Sequence, residues 1–182
     1  MKIAVLGAGG CFAQNFIRYL ADQGIESFGI GRSGPKPKPL WNVPADFRFW
    51  ELHLVTQLPE YMRILDELRP EVVVQFAAQG EGAASFGDNA PDYFTTNCVA
   101  LSRLVVELRK RNYLERFVQI GSSEVYGSPK EPAKETDLLF PTSPYSVSKA
   151  AFDQYLESMW RNAKFPMNII RPSNCYTEGQ QL

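Results

Sequence analysis

Lys2-Ile3-Ala4-Val5-Leu6-Gly7-Ala8-Gly9-Gly10-Cys11-Phe12-Ala13 decides how the rest of the chain is read. Ile3–Leu6 is a short apolar run of the kind that forms a buried strand. Glycines follow at once, and a helical pattern runs from about Phe12 to Gln23. Glycine lets the backbone turn tightly and approach a pyrophosphate, whose charge sits at the helix N-terminus. Read as Gly-x-x-Gly-x-x-Ala, the small residues are Gly7, Gly10 and Ala13, with Gly9 inside the turn and Cys11 and Phe12 opening the helix. A plain tight turn is the bland alternative. The position between strand and helix favours a dinucleotide site.

Working outward, apolar runs alternate with helical stretches. Ser27–Gly31 and Phe47–Leu52 predict the next strands, and helical spacing covers about Pro59–Leu68. Val72–Ala77 is the clearest buried strand, and a long helix is predicted over about Pro91–Arg111. Phe117–Ile120, a helix over Pro144–Ala163 and a strand at Met167–Ile170 complete the series. Alternation at this pitch implies βαβ units in an α/β fold with a doubly wound, open parallel sheet. Ser33–Pro44 and Ser128–Pro144, rich in proline, read as surface loops. No repeat or interdomain linker is evident.

At 182 residues, with 45% hydrophobic and 21% charged residues, the chain suits one domain with a real core. A net charge of −1 and scattered Lys and Arg give no case for nucleic acid or an anionic membrane. No apolar run approaches the ~20 residues that span a bilayer, and Ile3–Leu6 is too short for a secretory h-region. Cys11, Cys98 and Cys175 are odd in number and widely spaced, against a disulfide framework or a cysteine metal site. A lone His53 argues against a histidine zinc site or triad. No metal is expected, and the expected compartment is the cytoplasm.

The second strand ends Gly29-Ile30-Gly31-Arg32-Ser33. A carboxylate here usually holds the 2′-hydroxyl of NAD, and this slot is Gly31. Arg32 and Ser33 suit a 2′-phosphate, so the expectation is NADP, with NAD as the alternative and an arginine that merely meets solvent as the bland reading. Glu51 and Leu52, closing the third strand, are expected beside the adenine, with Glu51 as an ordinary exposed charge the equal alternative.

Two Tyr-x-x-x-Lys pairs occur. Tyr126–Lys130 contains Gly and Pro and cannot stack its side chains on a helix. Tyr145–Lys149 lies where Ser143 can cap a helix and Pro144 can take its first position. Residues at i and i+4 share one face. An ammonium beside a phenol favours phenolate, so such a Tyr can accept a hydroxyl proton; a Tyr and Lys on a solvated helix face is the bland alternative. Gly121-Ser122-Ser123-Glu124-Val125-Tyr126-Gly127 follows the Phe117–Ile120 strand, at the sheet edge where ligands sit. Ser122, Ser123 and Glu124 suit a sugar hydroxyl and a second proton transfer; a capped turn is the alternative.

Together these stretches resemble the extended short-chain dehydrogenase/reductase family, in its NAD(P)-dependent sugar-nucleotide epimerase/dehydratase branch. The resemblance also rests on Phe76-Ala77-Ala78-Gln79, Ser85, Tyr93 with Asn97, and Arg171-Pro172-Ser173-Asn174-Cys175-Tyr176, in the expected order over nearly the whole length. It implies an NAD(P)-binding Rossmann fold in which Ser122 holds the reacting hydroxyl, Tyr145 is the base and Lys149 orients and acidifies it. It further implies that Ala77, Ala78 and Gln79 line the cofactor, that Asn97 supports the site, and that Pro172 and Ser173 approach the nicotinamide. Ser85, Ser123 and Asn174 would face a nucleotide-sugar substrate. Hydride transfer from sugar C4 would give a 4-keto intermediate, with the cofactor supplying the redox chemistry. Glu124 stands where 4,6-dehydratases remove the C5 proton, which favours dehydration over 4-epimerisation, decarboxylation or reduction.

The departures are as specific. Thr177 and Glu178 replace the usual Gly-Pro of the closing turn, Gly80–Gly82 replaces bulkier residues, and the Ser85–Pro91 gap is longer than usual. Family members generally continue for another hundred or more residues, so the chain is expected to be a dinucleotide-binding portion lacking its substrate domain and turning over sugar nucleotide poorly. A homodimer through a four-helix bundle, formed by the helices at about 91–111 and 144–163, is also implied. The non-enzyme alternatives are a cofactor-sensing regulator and an inert remnant; a regulator would typically lack Tyr145 or Lys149.

Overall fold

Among the described residues, six strands lie in one parallel sheet. β1 (Lys2–Leu6), β2 (Glu26–Gly31), β3 (Arg48–Glu51), β4 (Val72–Gln75), β5 (Arg116–Ile120) and β6 (Met167–Ile170) are ordered β3-β2-β1-β4-β5-β6 in space. The computed structural model describes residues 1–34, 43–80 and 82–176. The greater part of the predicted Ser33–Pro44 loop, the middle of Gly80–Gly82 and the tail from Thr177 lie outside the described residues.

The order reverses at β1, which pairs with β2 on one side and β4 on the other. At such a switch point the two connections leave in opposite directions and open a crevice beyond the strand ends. The glycine turn occupies that place, between β1 and α1 (Cys11–Asp22).

Strand side chains alternate between two packing layers, as a pleated backbone requires. Ala4, Leu6, Val73 and Phe117 join the core beneath α2 (Leu58–Leu68), α4 (Leu101–Leu108) and α5 (Pro144–Ala163). Ile3, Val5 and Val74 face the other way, against Ala13, Ile17 and Leu20 of α1. Among the described residues no helix is long and apolar enough to cross a membrane.

Two elements differ informatively from expectation. The strand predicted over Val72–Ala77 ends at Gln75, because the buried Gln75 side chain accepts from the Ala77 amide at 3.0 Å and donates to the Ala77 carbonyl. Those bonds take the chain out of the ladder towards the crevice. The long helix is three pieces in one run: α3 (Ala90–Phe94), a π-helical stretch (Thr95–Ala100) and α4. The wider π turns carry Asn97, fully buried, and such insertions concentrate at functional sites.

Candidate active site

The crevice at the switch point is built mainly from backbone. Gly7, at φ +76°, turns the chain out of β1; its amide donates to the Ile30 carbonyl at 2.7 Å, and a Cβ there would stand 2.5 Å from the Ala77 nitrogen. A Cβ at Gly9 would strike the Ser33 carbonyl. Gln14 of α1, buried, braces the turn by donating to the Gly9 carbonyl at 2.8 Å. Gly10 is the N-cap of α1, which has neither a side-chain cap nor an acidic residue in its first turn. The positive end of the helix dipole, with no carboxylate beside it, favours an anion there. The residues present therefore fit a dinucleotide pyrophosphate.

The cleft holds about 240 Å³ and is lined by Gly7, Gly9, Gly10, Arg32, Ser33, Phe76, Ala77, Ala78 and Gln79, and also by His53, Leu54, Val55, Tyr61 and Thr96. Cys11 and Phe12 begin α1 just behind it. Glu51 and Leu52 are the residues expected at the adenine end, but the lining there is His53–Val55. The reason is local: the Leu52 amide still donates to the Gly31 carbonyl at 2.9 Å, so the chain crosses the rim only in the following turn. The His53 ring accepts from the Val55 amide at 3.3 Å and steadies that turn.

The second cluster stands at the ends of β5 and β6. Ser143 caps α5 by accepting from the Ser146 amide, in a capping box with Pro144 in the first turn, and this presents Tyr145 and Lys149 one turn apart. Tyr126, by contrast, ends a 3₁₀ turn (Ser123–Tyr126) that stops at Gly127, φ +70°, so the other Tyr-x-x-x-Lys pair is on no helix. Ser122 caps that turn through the Glu124 amide at 3.2 Å. The capped-turn alternative is thus present, and Ser122 also acts on the Tyr145 phenol, favouring its ionised form. Glu124 is exposed, yet a Cβ at Gly82 would lie 2.9 Å from its Oε2 and 3.6 Å from the Tyr145 ring. The Ser123 amide donates to the Pro172 carbonyl at 2.9 Å, bringing the segment after β6 to the turn; Ser173 and Asn174 are exposed.

Electrostatics here differ from the expectation. Burial raises the Tyr145 phenol above its ordinary range; the Ser122 hydrogen bond opposes this, and the charges of Glu124 and Asp153 add to it. Lys149 does not supply the expected acidification. Its Nζ donates to the Ile120 carbonyl at 2.7 Å, a group also held by Gln119 at 3.0 Å. Lys149 is only 2% exposed, and burial lowers its amine to about 8 against a partial restoring pull from Asp153. Ser85, expected at the substrate, has no exposed surface. Its hydroxyl donates to the Gly82 carbonyl at 2.6 Å and accepts from the Tyr145 amide at 3.1 Å, so in this structure it sets the start of α5.

Asn97 joins the two clusters. It donates to the Gln79 carbonyl and to the Ser148 hydroxyl, each at 3.0 Å, and accepts from the Gln79 amide at 2.8 Å. Gln79 lines the cleft and Ser148 sits between Tyr145 and Lys149. Sequence reasoning missed His53, Gln75, Gln119 and Asp153 at the site. Gln75 and Gln119 were findable: each is a polar residue inside a buried apolar strand, and the two are register partners.

Comparisons agree with this architecture. A UDP-glucose 4-epimerase of Thermus thermophilus, solved in complex with NAD, superposes with a TM-score of 0.82 at 28% identity, over 94% of this chain and 54% of its own. The dTDP-glucose 4,6-dehydratase of Bacillus anthracis reaches the same TM-score at 23% identity, over 99% of this chain and 57% of its own, and shows the shared fold. The mouse dTDP-D-glucose 4,6-dehydratase is 32% identical over 66% of this chain and 34% of its own length. The chain thus spans little more than half of these relatives at most. Residues 3–182 match the NAD dependent epimerase/dehydratase family, and the chain belongs to that family.

Proposed function

We propose that the chain is the dinucleotide-holding part of an enzyme that modifies a nucleotide sugar through a transient 4-ketone, with 4,6-dehydration as its reaction. The observation that supports it most is the gathering of Tyr145, Ser122 and Glu124 on one sheet edge, coupled through Asn97 to a cleft shaped for a pyrophosphate. Gly7, Gly9, Gly10 and the first turn of α1 would hold the phosphates, and Ala77, Ala78 and Gln79 the cofactor's inner half. When bound, a nicotinamide cofactor supplies a hydride acceptor and a positive ring that favours phenolate at Tyr145.

In this reading Tyr145 takes the proton of the sugar 4-hydroxyl as C4 is oxidised, while Ser122 orients that hydroxyl. Lys149, held on the Ile120 carbonyl, would help to hold the cofactor ribose. A 4-ketone acidifies the C5 proton, and Glu124, exposed beside Gly82, removes it. A 4-epimerase needs no such base, so Glu124→Gln in the full-length protein separates the two. A 4-keto-6-deoxy product formed at an unchanged rate would exclude Glu124 as the C5 base, whereas a C4-inverted sugar with no 4-keto-6-deoxy product from either protein would favour epimerisation.

The cofactor we propose is NADP, because Arg32 and Ser33 line the cleft where a carboxylate would otherwise hold a 2′-hydroxyl. Separate fluorescence titrations with NADP and NAD decide this; tighter binding of NAD reverses it. A cytoplasmic homodimer belongs to the same reading. Phe94, Val99, Val106 and Val147 are exposed on the helices that would form a four-helix bundle, and sedimentation at micromolar concentration measures the assembly.

A further inference from the structure

Behind the Tyr145–Lys149 pair lies a group of buried charges that the proposed chemistry does not use. Asp153, one turn beyond Lys149 on α5, has no exposed surface. Its Oδ2 accepts from Arg171 Nε at 2.8 Å, whereas among the described residues its Oδ1 accepts no hydrogen bond. Arg171 follows β6 and reaches further: Nη1 donates to the Tyr126 hydroxyl at 2.7 Å, the guanidinium lies over the Tyr126 ring at 5.2 Å, and Nη2 is 3.5 Å from Glu157. Gly121, at the end of β5, leaves the room; a Cβ there would be 3.4 Å from Asp153 Oδ2. The charged and titratable groups around the pair are Tyr145 and Glu157 on α5, Glu124 and Tyr126 in the turn after β5, and Arg171 after β6.

A fully buried carboxylate is costly unless its charge is matched. Arg171 matches one oxygen. Lys149 stands four residues earlier on the same face of α5, also buried, and its charge and that of Asp153 attract each other. We propose that Asp153 is a positioning residue shared by Lys149 and Arg171: its carboxylate is the counter-charge that keeps Lys149 an ammonium donor at the sheet edge, and through Arg171 it ties that edge to the turn carrying Glu124. This rests on reading Lys149 as part of the reactive site. Asp153 itself touches no substrate.

The test is a side-chain NMR titration of Lys149 Cε in the 182-residue chain labelled with 13C-lysine, assigned with Lys149→Met. The wild-type amine should titrate near 8. Asp153→Asn should lower that midpoint by about one to two pH units. Arg171→Gln should leave it at or above the wild-type value, because Asp153 then answers Lys149 alone. An unmoved midpoint in Asp153→Asn, or a fall in Arg171→Gln, overturns the proposal; if Asp153→Asn fails to fold, Arg171→Gln alone decides. Dinucleotide titration of the same samples keeps the two readings apart. Binding with an unmoved midpoint defeats only the role of Asp153, and the expected shifts without binding defeat only the functional reading.

Discussion

The two halves of the site are made of different materials. At the end of β1 the cleft is shaped by atoms that are missing: no Cβ at Gly7, Gly9 or Gly10, and only methyl groups at Ala77 and Ala78. At the ends of β5 and β6 the work falls to side chains, with Lys149 and Asp153 buried and Arg171 nearly so. A backbone site depends on shape and tolerates changes of pH. A site of buried ionisable groups depends on matched charge, and its charge state changes with pH. One sheet edge thus carries a rigid cradle beside a titratable device, joined by Asn97.

The sharpest way to break the contrast is Gly9→Val. The new side chain meets the Ser33 carbonyl, which is backbone and cannot swing aside. Dinucleotide affinity should fall by about 100-fold at every pH. A valine variant that bound normally, measured by fluorescence titration, would mean that the ligand does not pass over this turn.

Lys149 gives the opposite signature. Its amine is lowered from 10.5 to about 8, so below pH 8 the folded chain bears the full cost of a buried ammonium. Between those values the unfolded chain binds more protons than the folded one, and stability rises with pH. Relative to Lys149→Met, the wild-type chain should gain about 3 kcal/mol from pH 8 to 10.5. Urea denaturation of both proteins across that window measures it. A flat difference would show that the amine is not buried as a cation.

Asn97→Ala tests the join. It strands the Gln79 backbone groups and removes one of the two hydrogen bonds of the Ser148 hydroxyl, and should cost about 2 kcal/mol. Cofactor affinity should weaken as well, because Gln79 loses its anchor; stability loss with unaltered affinity would uncouple the halves. The smallest effect belongs to Ser143→Ala, which removes the cap of α5 at about 1 kcal/mol. Thermal melts should register it while dinucleotide binding is retained.

Much of this was legible because it is local. The strand-turn-helix at residues 2–22, the Ser143-Pro144 helix start and the five-residue frame of Tyr145 and Lys149 each follow from neighbours in the chain, and steric or hydrogen-bonding rules then leave few options. Gln75 ending β4 two residues early was less legible, since propensity favours continuing the strand and only the side chain's bonds to Ala77 divert it.

The sequence by itself determined the parallel α/β fold, the glycine turn between β1 and α1, and which phenol and amine stand one helical turn apart. Only the tertiary structure decided where the buried polar groups go: Lys149 onto the Ile120 carbonyl, Ser85 into the start of α5, and Asp153 onto Arg171 from the segment after β6. The division has a physical cause. Backbone geometry depends on residues a few positions away, whereas the ionisation of a buried group depends on desolvation and on partners up to eighteen or more residues distant, which no local pattern reveals.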